Sequence, residues 1–111
     1  MQKDNDIFLE HIMDAINNIE DYTRGFSQED FIENHQTADA VIRNLEIIGE
    51  AVKNLTDDFK MAAVHIPWRD IADLRNVLIH EYFGVDKEKV WLMIKNDIPE
   101  LKNEIDCLLK I

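Results

Sequence analysis

The sequence predicts an all-α fold, an up-and-down bundle of four to five helices, and three observations carry that prediction. Only 3 Gly and 2 Pro interrupt 111 residues, which favours long helices joined by short connections over the frequent turns of a sheet protein. Hydrophobic residues make up 46% of the chain, enough for a packed core and too many for a disordered chain. Apolar residues recur at helical rather than alternating spacing. The length suits one domain, taken as residues 1–111.

The first helix is expected over 4–22, with Ile7, Phe8, Ile12, Ala15, Ile16 and Ile19 on one face. Gly25 is a natural left-handed stop. Ser27 then caps a second helix, with Glu29 and Asp30 in its first turn and Phe31 and Ile32 as anchors. The polar run 33–37 is a place for a break or kink. From 38 to 55, Ala38, Val41, Ile42, Leu45, Ile48, Ala51, Val52 and Leu55 form a continuous stripe. Thr56 is another N-cap, opening a short turn through 59–64. Pro67 suits the first position of a helix over about 67–83, ended by Gly84. Asp86 caps the last segment, where Val90, Trp91, Met93 and Ile94 lead to Leu101, Ile105, Leu108 and Leu109. Pro99 interrupts that stripe as a kink or as a break between two helices. Trp68 and Trp91 read as core or groove residues.

Composition excludes several classes. The N-terminus is polar and has no signal-peptide run. No stretch approaches the ~18 apolar residues of a membrane helix. A cytoplasmic, membrane-free protein is expected. The one cysteine, Cys107, allows no internal disulfide; beside Leu108 and Leu109 it reads as a buried thiol. The net charge of −11 opposes a nucleic-acid coat protein, although a local cluster of cations can act against the global field.

Metal and cofactor chemistry finds no support in the spacing. No Glu has a His three residues later, as a di-iron bundle needs. His11, His35, His65 and His80 are scattered, and one Cys cannot build a zinc cluster. The same-face pairs Glu46 with Glu50 and Asp70 with Asp73 read as solvated acids. There is no Gly-rich phosphate loop and no nucleophile elbow. No cofactor is expected.

One constellation remains, Arg75 with His80 and Tyr82. Cleaving RNA without a metal requires taking a proton from a 2′-hydroxyl and stabilising charge on phosphorus. His titrates near neutrality and serves as general base or acid. Arg is permanently cationic and meets a phosphate with two parallel hydrogen bonds. Asn76, four residues before His80, shares its helix face and can orient the imidazole or hold a phosphate oxygen. At about 100° per residue, however, Arg75 and His80 lie roughly 140° apart on a regular helix. Poor convergence on one helix points to a homodimer whose cleft is lined by two copies. The Arg-x4-His spacing alone is a weak pattern that a random helix often contains, and its ordinary explanation is a surface Arg with a satisfied His.

The wider run Ile66-Pro67-Trp68-Arg69-Asp70-Ile71-Ala72-Asp73-Leu74-Arg75-Asn76-Val77-Leu78-Ile79-His80-Glu81-Tyr82-Phe83-Gly84-Val85-Asp86 resembles the signature region of HepT-like proteins of the HEPN superfamily. Upstream, Ala40-Val41-Ile42-Arg43-Asn44-Leu45-Glu46-Ile47-Ile48-Gly49-Glu50-Ala51 resembles the family's second marker, and Ile98-Pro99-Glu100-Leu101 its C-terminal helix. The resemblance implies a helical homodimer acting as a metal-independent endoribonuclease toxin, with Arg75 and His80 as the catalytic pair. It implies a partner as well: a minimal nucleotidyltransferase antitoxin that uses ATP to attach AMP to Tyr82 and silences cleavage of RNA. Within the second marker, Gly49 serves either intrachain packing or a dimer contact, since mid-helix Gly costs about 1 kcal/mol relative to Ala. Glu50 is either a cleft residue or a salt-bridge partner. The competing reading is a non-catalytic helical subunit that docks a nucleotidyltransferase; the Arg75/His80 pair favours the enzyme, and the acidity favours the binding module.

Overall fold

The computed structural model describes residues 2–74 and 86–109, with side chains from Asn5 onward. Within them the chain is helical and contains no strand. We label the helices α1 (Gln2–Thr23), α2 (Gln28–Glu33), α3 (His35–Lys53), α4 (Asp57–Ala62), α5 (Trp68–Ala72), α6 (Lys87–Leu92) and α7 (Ile98–Leu109). A π-helical turn, Met93–Asp97, joins α6 to α7. The all-α expectation holds.

Local chemistry sets the boundaries. Thr23 hydroxyl donates to the Ile19 carbonyl at 2.8 Å, and Gly25 then takes φ +78°, a conformation that favours glycine. Ser27 and Asp30 form a reciprocal capping box, satisfying two otherwise unpaired donors at the start of α2. Asn34 resolves the polar run as a break. Its backbone leaves the helical region at φ −99°, ψ 93°, and its side chain caps α3 by accepting from Thr37 N–H at 2.9 Å. Thr56 caps α4 by accepting from Phe59 N–H at 3.3 Å.

α1 and α3 lie antiparallel, since two polar pairs link α1 in opposite order to α3 and to the residues just beyond its end. Near the start of α1, Asn5 donates to Thr56 Oγ1 at 3.2 Å and accepts from Thr56 N–H at 3.0 Å. Further along, Asn18 donates to Asn44 Oδ1 at 3.2 Å. Asn44 is buried and also donates to the Ala40 carbonyl at 2.8 Å, so its amide is not left unpaired in the core.

The core is built from Leu9, Ile12, Ile16 and Ile19 of α1, Phe31 of α2, and Val41, Leu45, Ile48 and Val52 of α3, all with no exposure. Ile94, Ile98, Leu101 and Ile105 close it from the C-terminal side. Burial of each such side chain contributes roughly 1.5–3 kcal/mol. Leu9 rather than Ile7 opens the α1 stripe, for Ile7 is 49% exposed. Trp91 packs on Phe31 with ring centroids 5.5 Å apart. Replacing Phe31 with Ala should therefore cost about 3–5 kcal/mol, seen as a lower urea midpoint with an unchanged slope. A loss below about 1 kcal/mol would contradict this packing.

Three expectations need correction. Cys107 is exposed, not buried. Leu101 and Ile105 hold the inward stripe of α7, and a residue two beyond Ile105 is turned about 200° around the helix. Pro67 is the N-cap of α5 rather than its first residue. Pro99 does not break the chain: the helix widens into the π-turn before it, and Ile98 N–H reaches the Met93 carbonyl. A proline ring collides with the carbonyl four residues earlier, and one turn of wider helix removes that conflict.

Candidate functional site

Arg75, Asn76, His80 and Tyr82 lie outside the described residues, as does the rest of 75–85. The structure does define how the chain is held on each side of that run. Upstream, Trp68 is 7% exposed and its indole N–H is shared between the Ala63 carbonyl at 3.1 Å and the Lys60 carbonyl at 3.2 Å. Phe59 packs on the same ring at 6.2 Å. The expected helix over 67–83 is described only to Leu74. Within that part α5 ends at Ala72, and Asp73 closes the turn by donating its N–H to the Arg69 carbonyl at 3.0 Å.

Trp68 therefore anchors α5 by shape and by hydrogen bonding. Trp68→Phe should lower stability by about 1–3 kcal/mol, because two carbonyls lose a buried donor. Thermal unfolding checks this; an unchanged midpoint would show that water replaces the indole.

Downstream, Asp86 caps α6 by accepting from Lys89 N–H at 3.2 Å. Lys87 ties the same end to the α2–α3 junction. Its ammonium donates to the Ile32 carbonyl at 3.3 Å and to His35 Nδ1 at 2.9 Å. Because an ammonium can only donate, His35 Nδ1 is the unprotonated nitrogen of this pair. The residues flanking 75–85 are thus fixed by packing at one end and by charge-assisted bonds at the other.

Beside α5 lies a groove of about 570 Å³. Its floor includes Ile71, Leu74 and Met93, each half-buried, with Ile98 and Leu101 beneath. Its rim carries Asp70, Asp97, Glu100 and Glu104, and no Lys or Arg is among its described lining residues. His65 donates from Nε2 to Glu104 at 2.6 Å across this rim. The sequence reading did not single out this constellation. Its signal was present, since acids at 97, 100 and 104 share a helix face, but the interruption around Pro99 disguised the register.

The second marker is divided between core and surface. Asn44, Leu45, Ile48, Gly49 and Ala51 are buried within the chain, which favours intrachain packing at Gly49 over a dimer contact. Arg43 is exposed and lies 3.9 Å from Glu46, a contact of little energetic weight at the surface. Glu50 is exposed and lines a smaller hollow with Phe8, His11 and Arg43. Among the described residues, no group of three or more His, Cys, Asp or Glu side chains is arranged to hold a metal, and no helix is long and apolar enough to cross a membrane.

A family model described as HepT-like, ribonuclease HepT-like, matches residues 12–108. The chain belongs to the HepT-like family. It is 48% identical over 110 residues to a protein of Thermococcus cleftensis named "Probable ribonuclease HepT", covering 99% of this chain and 100% of that one. It is 49% identical over 105 residues to a protein of Methanocaldococcus jannaschii named "Gamma-glutamylcyclotransferase and putative RNase". That match covers 95% of this chain but only 47% of the relative, so the HepT-like chain spans about half of that protein's length. A second protein of the same organism, named "Putative RNase", is 38% identical over 96% of this chain and 98% of its own length. No solved structure matches significantly. The matched span 12–108 includes the positions of Arg75, Asn76, His80 and Tyr82.

Proposed function

We propose that this HepT-like chain is a metal-independent endoribonuclease, the toxin of a toxin-antitoxin pair in the cytoplasm. The supporting observation is the run from Arg75 through His80 to Tyr82, carried inside a full-length HepT-like match. In this reading His80 takes the proton of the 2′-hydroxyl. The freed oxygen attacks the adjacent phosphorus, and the 5′-oxygen leaves with a proton returned by the His80 imidazolium or by water, giving a cyclic phosphate and a 5′-hydroxyl. Arg75 pairs with the nonbridging oxygens as negative charge accumulates. Asn76 holds the imidazole or a phosphate oxygen. A two-fold homodimer brings two copies of Arg75 and His80 to one cleft, which answers their poor convergence on a single helix.

The test is cleavage of a labelled RNA by the purified chain in EDTA, followed on a denaturing gel. Cleavage that survives the chelator supports the reading; a chain that cuts nothing, or only with added metal, overturns it. The dimer has its own check. Sedimentation at micromolar concentration should give a dimer, and an active monomer would contradict the shared cleft.

A non-catalytic binding subunit is the second reading, favoured by the net charge of −11 and by the acidic groove beside α5. Both features repel an RNA backbone except where a local cation outweighs them.

A further inference from the structure

We infer that the groove between α5 and α7 is a docking site for a basic amphipathic helix of a partner protein. The inference stands independently of RNA cleavage, because none of its residues belongs to the proposed catalytic set.

Three features point to that occupant. The floor is apolar and incompletely covered: Ile71, Leu74 and Met93 are half-buried although larger hydrophobic side chains elsewhere in the core are sealed. The volume of about 570 Å³ falls in the range of binding pockets, roughly 300–1,000 Å³. Beside it, Asp97, Glu100 and Glu104 stand at i, i+3 and i+7 along the π-turn and α7, a line of carboxylates about 10 Å long. Asp70 faces this line from α5.

The pattern is the complement of a helix with apolar anchors at i, i+3, i+4 and i+7, flanked by Lys or Arg at the same pitch. Helix-in-groove recognition requires an apolar trough, and charge on its margin sets partner choice and encounter rate. An RNA strand or an acidic peptide meets four carboxylates here and no described cation. The His65–Glu104 contact fixes one point of the rim by tying the segment before α5 to α7.

The probe is a fluorescein-labelled peptide with leucines at i, i+3, i+4 and i+7 and lysines elsewhere, titrated with the full chain and read by anisotropy. A matched peptide with glutamates in place of lysines is the control. Because a chain of this charge attracts any cation, two protein variants of equal charge change are compared. Asp97→Lys with Glu100→Lys alters the groove. Glu10→Lys with Asp14→Lys alters exposed positions of α1, outside it. Circular dichroism confirms that both fold.

The expected result is binding of the lysine peptide and not the glutamate peptide, weakened about tenfold or more by the groove variant and less than about threefold by the α1 variant. Hydrogen exchange on the wild-type chain should show peptide protection over residues 97–104. Equal weakening by both variants, binding of the glutamate peptide, or protection elsewhere would overturn the proposal. So would protection of the groove by a short RNA. A dimer of the chain that the groove variant alone dissociates would also overturn it, by making a second copy the occupant.

Discussion

His80→Ala and Arg75→Ala should each lower RNA cleavage by about 10²–10⁴-fold and abolish toxicity on expression, with the fold intact. The magnitude is that of a lost acid-base group or of a lost charge-stabilising donor. Thermal unfolding of each variant is measured alongside, and the midpoints should move little. Chelators should leave the rate unchanged. The two losses should not multiply in the double variant, since groups that act on one transition state are not additive. Single-turnover cleavage of a labelled RNA is the measurement. Undiminished cleavage by His80→Ala, or complete loss in EDTA, would reject the assignment.

Tyr82 carries the second large effect. A cognate nucleotidyltransferase given ATP and magnesium should add one or more AMP units to its hydroxyl and abolish cleavage. The phenolic oxygen attacks the α-phosphorus of ATP, pyrophosphate leaves, and the proton passes to solvent or to a base of the transferase. The attached phosphate introduces an anion two residues from His80. Pairing of that anion with Arg75 would occupy the cation that an RNA phosphate needs, and the adenosine would fill part of the substrate's space. Intact mass after co-expression reads the outcome directly. Tyr82→Phe should remain an active nuclease, gain no AMP mass and escape silencing. AMP on Tyr82→Phe, or a silenced nuclease without added mass, would show that another residue or mere docking does the work. The alternative, a Tyr that only packs and hydrogen-bonds at a helix end, predicts no mass change at all.

These two tests also separate the competing readings. A binding subunit would survive every substitution at Arg75 and His80 without a change in RNA, yet still bind a partner. The acidic groove gives such a partner somewhere to dock in either case. Loss of peptide binding in the Asp97/Glu100 variant with unchanged nuclease activity would place docking and catalysis on separate surfaces.

The amino-acid sequence by itself determined the helical class and most boundaries, because caps and periodicity are local. Ser27, Thr56 and Asp86 each cap the helix that follows, as their short polar side chains next to apolar repeats foretold. The α3 stripe was legible since its period persists over the whole helix, leaving only Ile42 half-buried among its predicted members. The candidate pair Arg75 and His80 was legible as chemistry, and the family match extends across it. Tertiary packing decided the rest. Asn5 pairs with Thr56, and Asn18 with Asn44, contacts between residues far apart in sequence that no local rule encodes. Cys107 faces outward because Leu101 and Ile105 claim the core, a choice between neighbouring positions that depends on the phase of α7. That phase is set by the π-turn before Pro99, which also aligns Asp97, Glu100 and Glu104 beside the floor supplied by α5. A groove needs two elements in register, and only the folded chain brings a segment near residue 70 against one near residue 100.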